Sequence, residues 1–195
     1  MKIGIIVAMP EEAKHITDHL DKKCKKKNVV YCHITDMLRE IVKYKMGGKL
    51  KIYVAVSGIG QNNAMLACSR LDKLGCKKII NIGSCGVIKT DTFIRVSDFF
   101  SFDRNILDYG FKLHPEEYAF DDCGYFYDYC SENLLLTCND FVSEYPDLDK
   151  YCLDKYHNNI FADMEAYAIM AYCANYKLDF VAHKFITDFG DEKNI

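Results

Sequence analysis

Residues 2–8, Lys2-Ile3-Gly4-Ile5-Ile6-Val7-Ala8, form a short apolar run rich in β-branched side chains, and Pro10 follows two positions later. The run reads as a buried strand. Pro10 marks the start of a helix, because its fixed φ suits the first turn and its missing N–H would have no helical partner there. Similar runs recur along the chain with helical segments between them, which predicts an α/β domain with a mixed, largely buried sheet. Glu11 and Glu12 then fall in the first helical turn, beside a strand end. In open α/β sheets, ligands bind outside the carboxyl ends of the strands, so the placement of Glu12 matters more than its residue type.

The first helix is predicted over about Glu11 to Lys22, and segments 28–34, 40–46 and 50–57 read as strands. Met46-Gly47-Gly48-Lys49 is a tight turn between the last two. Ser57-Gly58-Ile59-Gly60 leads into a helix from about Gln61 to Leu74, with Ala64, Ala67, Leu71 and Leu74 on one face and Gly75 as its terminator. Lys78 to Gly83 is predicted as a buried strand that ends in Gly83-Ser84-Cys85-Gly86, where glycines let backbone approach a ligand closely. An extended run covers 91–101. The Tyr-, Phe- and Asp-rich stretch 103–131 shows little periodicity and is predicted as a surface loop. Residues 133–138 are strand-like and precede Asn139-Asp140-Phe141-Val142. A short helix is predicted over 147–157, a brief strand over 159–163, a helix over 165–176 and a last strand over 180–187.

A chain of 195 residues, half of them apolar, suits one domain with a sizeable core. A net charge of −3 gives no general drive toward nucleic acid or anionic membrane. The lysine-rich run Lys22-Lys23-Cys24-Lys25-Lys26-Lys27 complements a helix C-terminus. The N-terminal apolar run is too short, and too quickly followed by Glu11 and Glu12, for a signal peptide, and no segment approaches transmembrane length. Ten cysteines without a C-x-x-C pair read as reduced thiols in a cytoplasmic protein. His15 and His19 share a helical face, but with no third ligand apparent they read as surface residues.

Six short motifs recur in one order: Glu11-Glu12 after the first strand, Ser57-Gly58-Ile59-Gly60, Ile82-Gly83-Ser84-Cys85-Gly86, Asn139-Asp140-Phe141-Val142, Met164-Glu165-Ala166 and Ile186-Thr187-Asp188. In that order and spacing the chain resembles the 5′-methylthioadenosine/S-adenosylhomocysteine nucleosidases of the nucleoside phosphorylase superfamily. Each motif is weak alone; the set is not.

The resemblance implies a single α/β/α-sandwich domain over residues 1–195 that cleaves the N-glycosidic bond of an adenine nucleoside. It implies that Glu12 activates water, that Asp188 protonates the leaving adenine and that Glu165 holds the ribose hydroxyls. Met164 would pack on the sugar, Phe141 would stack on the purine, Val142 would contact the base edge through its backbone, and Ser84 and Gly86 would line the floor near the nucleophile. This chemistry suits the residues. A ribosyl-cation path needs the sugar held, the base protonated and a nucleophile placed, and three carboxyl groups can do this without metal or organic cofactor. A Glu at position 12 favours water over phosphate, since a second anion would be repelled.

Plainer readings stand beside these. Glu12 and Glu165 could complement helix dipoles, Asp188 could be a cap after a strand, Ser84 a turn residue and Phe141 a core residue. The convergence of three acids on strand ends favours function.

The sequence also departs from the family. Its members continue past the Asp188 motif into a long C-terminal helix, whereas this sequence ends at Asp191-Glu192-Lys193-Asn194-Ile195, and the segment before Leu134 is shorter. Apolar sheet surface would then be exposed unless another chain covers it; an unusual homodimer, a natural short form or a truncated gene product would each account for this. Lys184 stands where the family tends to have arginine. A phosphate-dependent purine nucleoside phosphorylase, a shortened nucleoside-binding paralogue with weak catalysis, and an α/β module with unrelated chemistry are the competing readings.

Overall fold

The computed structural model describes residues 1–24, 26–34, 37–46, 49–90, 93–103, 123–128, 133–138 and 159–188. Their elements run β1 (Lys2–Val7), α1 (Pro10–Lys23), β2 (Lys26–Ile34), β3 (Met37–Met46), β4 (Leu50–Val56), α2 (Gln61–Lys73), β5 (Lys78–Thr90), β6 (Phe99–Asp103), β7 (Cys123–Asp128), β8 (Asn133–Cys138), β9 (Asn159–Asp163), α3 (Ala166–Tyr176) and β10 (Asp179–Asp188). The strands form one mixed sheet in the order β2-β3-β4-β1-β5-β9-β8-β7, with β10 pairing β5 and β6 off that path. Strand β1 lies parallel to β4 and β5, and β10 lies parallel to β5.

Two apolar layers sandwich the sheet. On one face α2 and α3 contribute Ala64, Cys68, Leu71, Ile169 and Met170 against Ile6, Ile79 and Phe161. Leu20 and Ala13 of α1 pack against Val7, Tyr44, Ile52 and Val54 in a separate cluster. Each fully buried Ile or Leu contributes roughly 1.5–3 kcal/mol by leaving water. The three-layer α/β/α architecture with a mixed, buried sheet is therefore as predicted.

Local chemistry explains the element ends. Pro10 opens α1. Gly75 closes α2 with φ 83°, and the Cys76 N–H reaches back to the Leu71 carbonyl at 3.0 Å, satisfying a helix-end acceptor.

Three expectations need correction. Strand β5 does not end at Gly83 but runs through Gly83-Ser84-Cys85-Gly86 to Thr90, because those glycines leave room for neighbouring side chains rather than for a turn. Of the 91–101 run, residues 91–92 lie outside the described residues, and from 93 onward the strand begins only at Phe99; Ser97 takes a left-handed φ of 76° before it. Stretch 103–131 contains a strand, since β7 pairs antiparallel with β8 from Cys123↔Cys138 to Asp128↔Asn133. The predicted 147–157 helix lies outside the described residues.

Candidate active site

The fork in strand β5 positions the chemistry. Its first half pairs with β1 as far as Ile6↔Asn81, and its second half pairs with β9 from Gly86↔Ala162 onward. Between them, residues 82–85 lack a strand neighbour on that edge, and a buried backbone N–H there needs another acceptor. Glu12 supplies it. Its Oε1 accepts from the Ser84 N–H at 3.0 Å and the Ser84 hydroxyl at 3.3 Å. Oε2 accepts from the N–H groups of Ala8 and Met9, both at 3.0 Å. The Met9 bond is the backbone half of a capping box, so Glu12 also stabilises the start of α1. Helix capping and a place in the site coexist in one side chain.

Two residues further along β5, about 7 Å of extended chain, Gly86 pairs with Asp188. A register shift between Ile186 and Asp188 re-aims the end of β10. The Asp188 carboxylate lies over Gly86, and a Cβ at that glycine would sit 2.8 Å from Asp188 Oδ1. The Thr187 hydroxyl donates to Asp188 Oδ2 at 2.9 Å. Asp188 is half-buried.

Glu165 completes the set from the head of α3. It is 6 % exposed, and Oε1 accepts from the Gly60 N–H at 2.9 Å. Gly60 has φ 98° at the head of α2, a backbone state that glycine adopts without steric cost. Burial raises the Glu165 carboxyl above its ordinary range; Lys184 and the Gly60 N–H act against this, while Asp163 and Glu12 add to it.

Beneath Glu165 lies an ion pair. Lys184 Nζ approaches Asp163 Oδ2 at 2.7 Å, with both side chains fully buried. The same Asp163 oxygen accepts the Ala166 N–H at 2.9 Å, and the other accepts the Thr137 hydroxyl. Burial pulls the Lys184 ammonium down, but Asp163 and Glu165 outweigh it and the net direction is up. A Cβ on Gly83 would stand 3.2 Å from Glu12 Oε1 and 3.3 Å from Lys184 Nζ, so that glycine keeps the Glu12 and Lys184 groups close together. Cys85 is buried near Lys184, Asp163 and Asp188, and burial pushes its thiol up to about 12.

Of the predicted site residues, Glu12, Ser84, Gly86, Glu165 and Asp188 come together at this edge, with Met164 half-buried beside Glu165. Phe141 and Val142 lie outside the described residues. His15 and His19 are exposed, and no cluster of metal-ligating side chains occurs among the described residues. Sequence reasoning assigned no role to Asp163, Thr137, Gly60 or Lys184. An Asp three residues before Ala166, after a strand, was the available signal for Asp163, since such residues cap helices.

The phosphorylase superfamily model matches residues 2–194. The chain belongs to that superfamily. A Bacillus thuringiensis 5′-methylthioadenosine/S-adenosylhomocysteine nucleosidase is 27% identical over 220 residues, spanning 100% of this chain and 89% of the relative. Among solved structures, the same fold recurs in a Streptococcus pyogenes S-adenosylhomocysteine nucleosidase in complex with 5-methylthiotubericidin. That match has a TM-score of 0.66 and 16% identity, over 97% of this chain and 84% of that one. It recurs also in a Helicobacter pylori futalosine hydrolase, with a TM-score of 0.68 and 17% identity over 99% of this chain and 87% of that one. Both solved structures share the fold described above.

Proposed function

We propose that this chain hydrolyses the N-glycosidic bond of an adenine nucleoside, with 5′-methylthioadenosine and S-adenosylhomocysteine as first candidates, releasing adenine and a 5-substituted ribose. The observation that carries the reading is the convergence of Glu12, Glu165 and Asp188, from three different elements, on the fork of β5.

Each acid has a distinct task. Glu165, buried at a helix head, accepts hydrogen bonds from the vicinal ribose hydroxyls and holds the sugar. Asp188, half-buried, donates a proton to the purine as the bond lengthens, so the base leaves neutral. Glu12 takes the proton of a water attacking the ribosyl cation, and Ser84 and Gly86 form the floor beneath. Developing positive charge on the sugar is favoured by the surrounding carboxylates, an interaction stronger in the transition state than in the ground state.

Water suits the site better than phosphate. Glu12 stands at the floor, and the buried cation beside it is already paired with Asp163. Phosphate would need arginines or free backbone N–H groups, whereas the Ser84 N–H is committed to Glu12. The buried thiols of Cys68, Cys76, Cys85, Cys138 and Cys173 suit a reducing cytoplasm. No described helix is long and apolar enough to cross a membrane. Exposed Ile59, Met65 and Leu66 around the head of α2 support a homodimer.

The test is adenine release from 5′-methylthioadenosine by the full chain, with and without phosphate. Equal release in both is expected. Release only with phosphate would make the chain a phosphorylase and remove the role given to Glu12; ligand-dependent thermal stabilisation without release would make it a binding paralogue.

A further inference from the structure

The ion pair beneath Glu165 is expensive. Taking an ammonium and a carboxylate out of water costs several kcal/mol each before their attraction offsets it, and well-packed apolar residues often serve stability as well. Lys184 and Asp163 are both fully buried, so the pair calls for a reason beyond packing.

Its connections supply one. Asp163 is ion-paired with Lys184 and accepts from the Ala166 N–H and the Thr137 hydroxyl, and that hydroxyl oxygen accepts the Tyr167 N–H at 2.9 Å. The first two N–H groups of α3 are thus suspended from β8, β9 and β10. Glu165 is the residue immediately before them, at the helix cap position.

We propose that Lys184, acting through Asp163, is the positioning residue that fixes Glu165 at the head of α3 and supplies the positive charge facing its carboxylate. What Glu165 binds rests on the nucleosidase reading; how it is held does not.

The groups facing Glu165 come from four elements: Lys184 on β10, Asp163 on β9, Glu12 on α1 and the Gly60 N–H at the head of α2. Lys184 is the one cation among these groups, and its effect exceeds that of Asp163 in the opposite direction. Asp163 is capped, paired and hydrogen-bonded at once, so it orients; Lys184 has donors that no described residue takes up beyond its Asp163 contact, and its charge reaches Glu165. Removing the charge while keeping the bulk would leave Glu165 buried between two other carboxylates. Its proton would then be held to higher pH, and a protonated Glu165 accepts fewer hydrogen bonds from a diol.

The experiment follows the Glu165 carboxyl directly, by carbon-13 NMR titration of the full chain labelled at the glutamate side-chain carboxyl, with the resonance assigned by its loss in Glu165→Gln. In Lys184→Met the midpoint should rise by about one pH unit or more, and in Lys184→Arg it should stay within a few tenths of wild type. The double variant Asp163→Asn with Lys184→Met removes both charges and leaves no unpaired ion in the buried pair, so it keeps the test open if the single variant fails to fold; its midpoint should still lie above wild type. A wild-type midpoint in the single or the double variant, or one displaced downward, overturns the proposal.

Turnover gives a second reading. The acid limb of kcat/KM for 5′-methylthioadenosine should move up in Lys184→Met, with KM rising more than kcat falls, whereas a merely structural lysine would lower Tm and leave the limb in place. Absence of adenine release from wild type would sink the nucleosidase reading, and the titration would still decide Lys184.

Discussion

Glu12 and Glu165 are carboxylates at helix N-termini on the same sheet edge, yet they are held by different means. Glu12 is fixed by geometry: four neutral donors, three of them backbone N–H groups, converge on its two oxygens. Glu165 has one backbone donor and is otherwise governed by burial and by the charges of Lys184, Asp163 and Glu12. Backbone donors set direction and do not titrate. A buried cation sets the cost of ionisation, and its effect can be tuned by one substitution. Asp188, half-buried, belongs to neither regime; it leans on Gly86 and Thr187 and keeps partial access to solvent.

The largest expected effect that sharpens this contrast is Asp188→Asn. Loss of the proton donor should reduce adenine release by about 10²–10⁴-fold, measured as kcat, with little change in Tm because the amide keeps the shape. Gly86→Ala should come next and affect both quantities. Its Cβ would meet Asp188 Oδ1 at 2.8 Å, so the carboxylate must move; kcat should fall and stability should drop by about 1–3 kcal/mol in denaturant unfolding.

The smallest effect concerns pH and separates the two carboxylates. The folded Glu165 pKa lies above its unfolded value, so the native state holds more protons than the unfolded state between the two. Stability therefore falls as pH rises from the ordinary carboxylate range through the raised value, and stays lower above it. In Glu165→Gln that decline should disappear, so a plot of Tm against pH should be flatter than wild type over the same window. An unchanged slope would mean that the charges around Glu165 do not act as described.

The sequence made the frame of the site legible but not its depth. A β-branched run followed by Pro10 announced β1 and α1, and Gly75 announced the end of α2, because those signals are local steric ones. Gly83 and Gly86 were read as a strand end, yet they lie inside β5. Their role is to clear space for Glu12, Lys184 and Asp188, which arrive from 70 to more than 100 residues away, and no local pattern reports that. Strand β7 was hidden in an aperiodic stretch because its reality rests on pairing with β8. Lys184 was visible as a lysine within the last strand, but a lysine in a strand usually faces solvent. Only the fold shows it fully buried against Asp163, itself set by β9. Acids at strand ends can be read from sequence; the charge network that tunes them cannot, since each member contributes from a different strand or helix.

The most direct test of the account is to compare wild type with Glu12→Gln, measuring both kcat for adenine release and the affinity for 5′-methylthioadenosine by calorimetry. The account predicts a fall in kcat of about 10²-fold or more with nucleoside binding retained, since the amide keeps one acceptor oxygen, for either the Ser84 pair or the Ala8 and Met9 N–H groups, but cannot take a proton from water. Wild-type kcat in Glu12→Gln would contradict it and show that the carboxylate at the fork of β5 serves the helix alone.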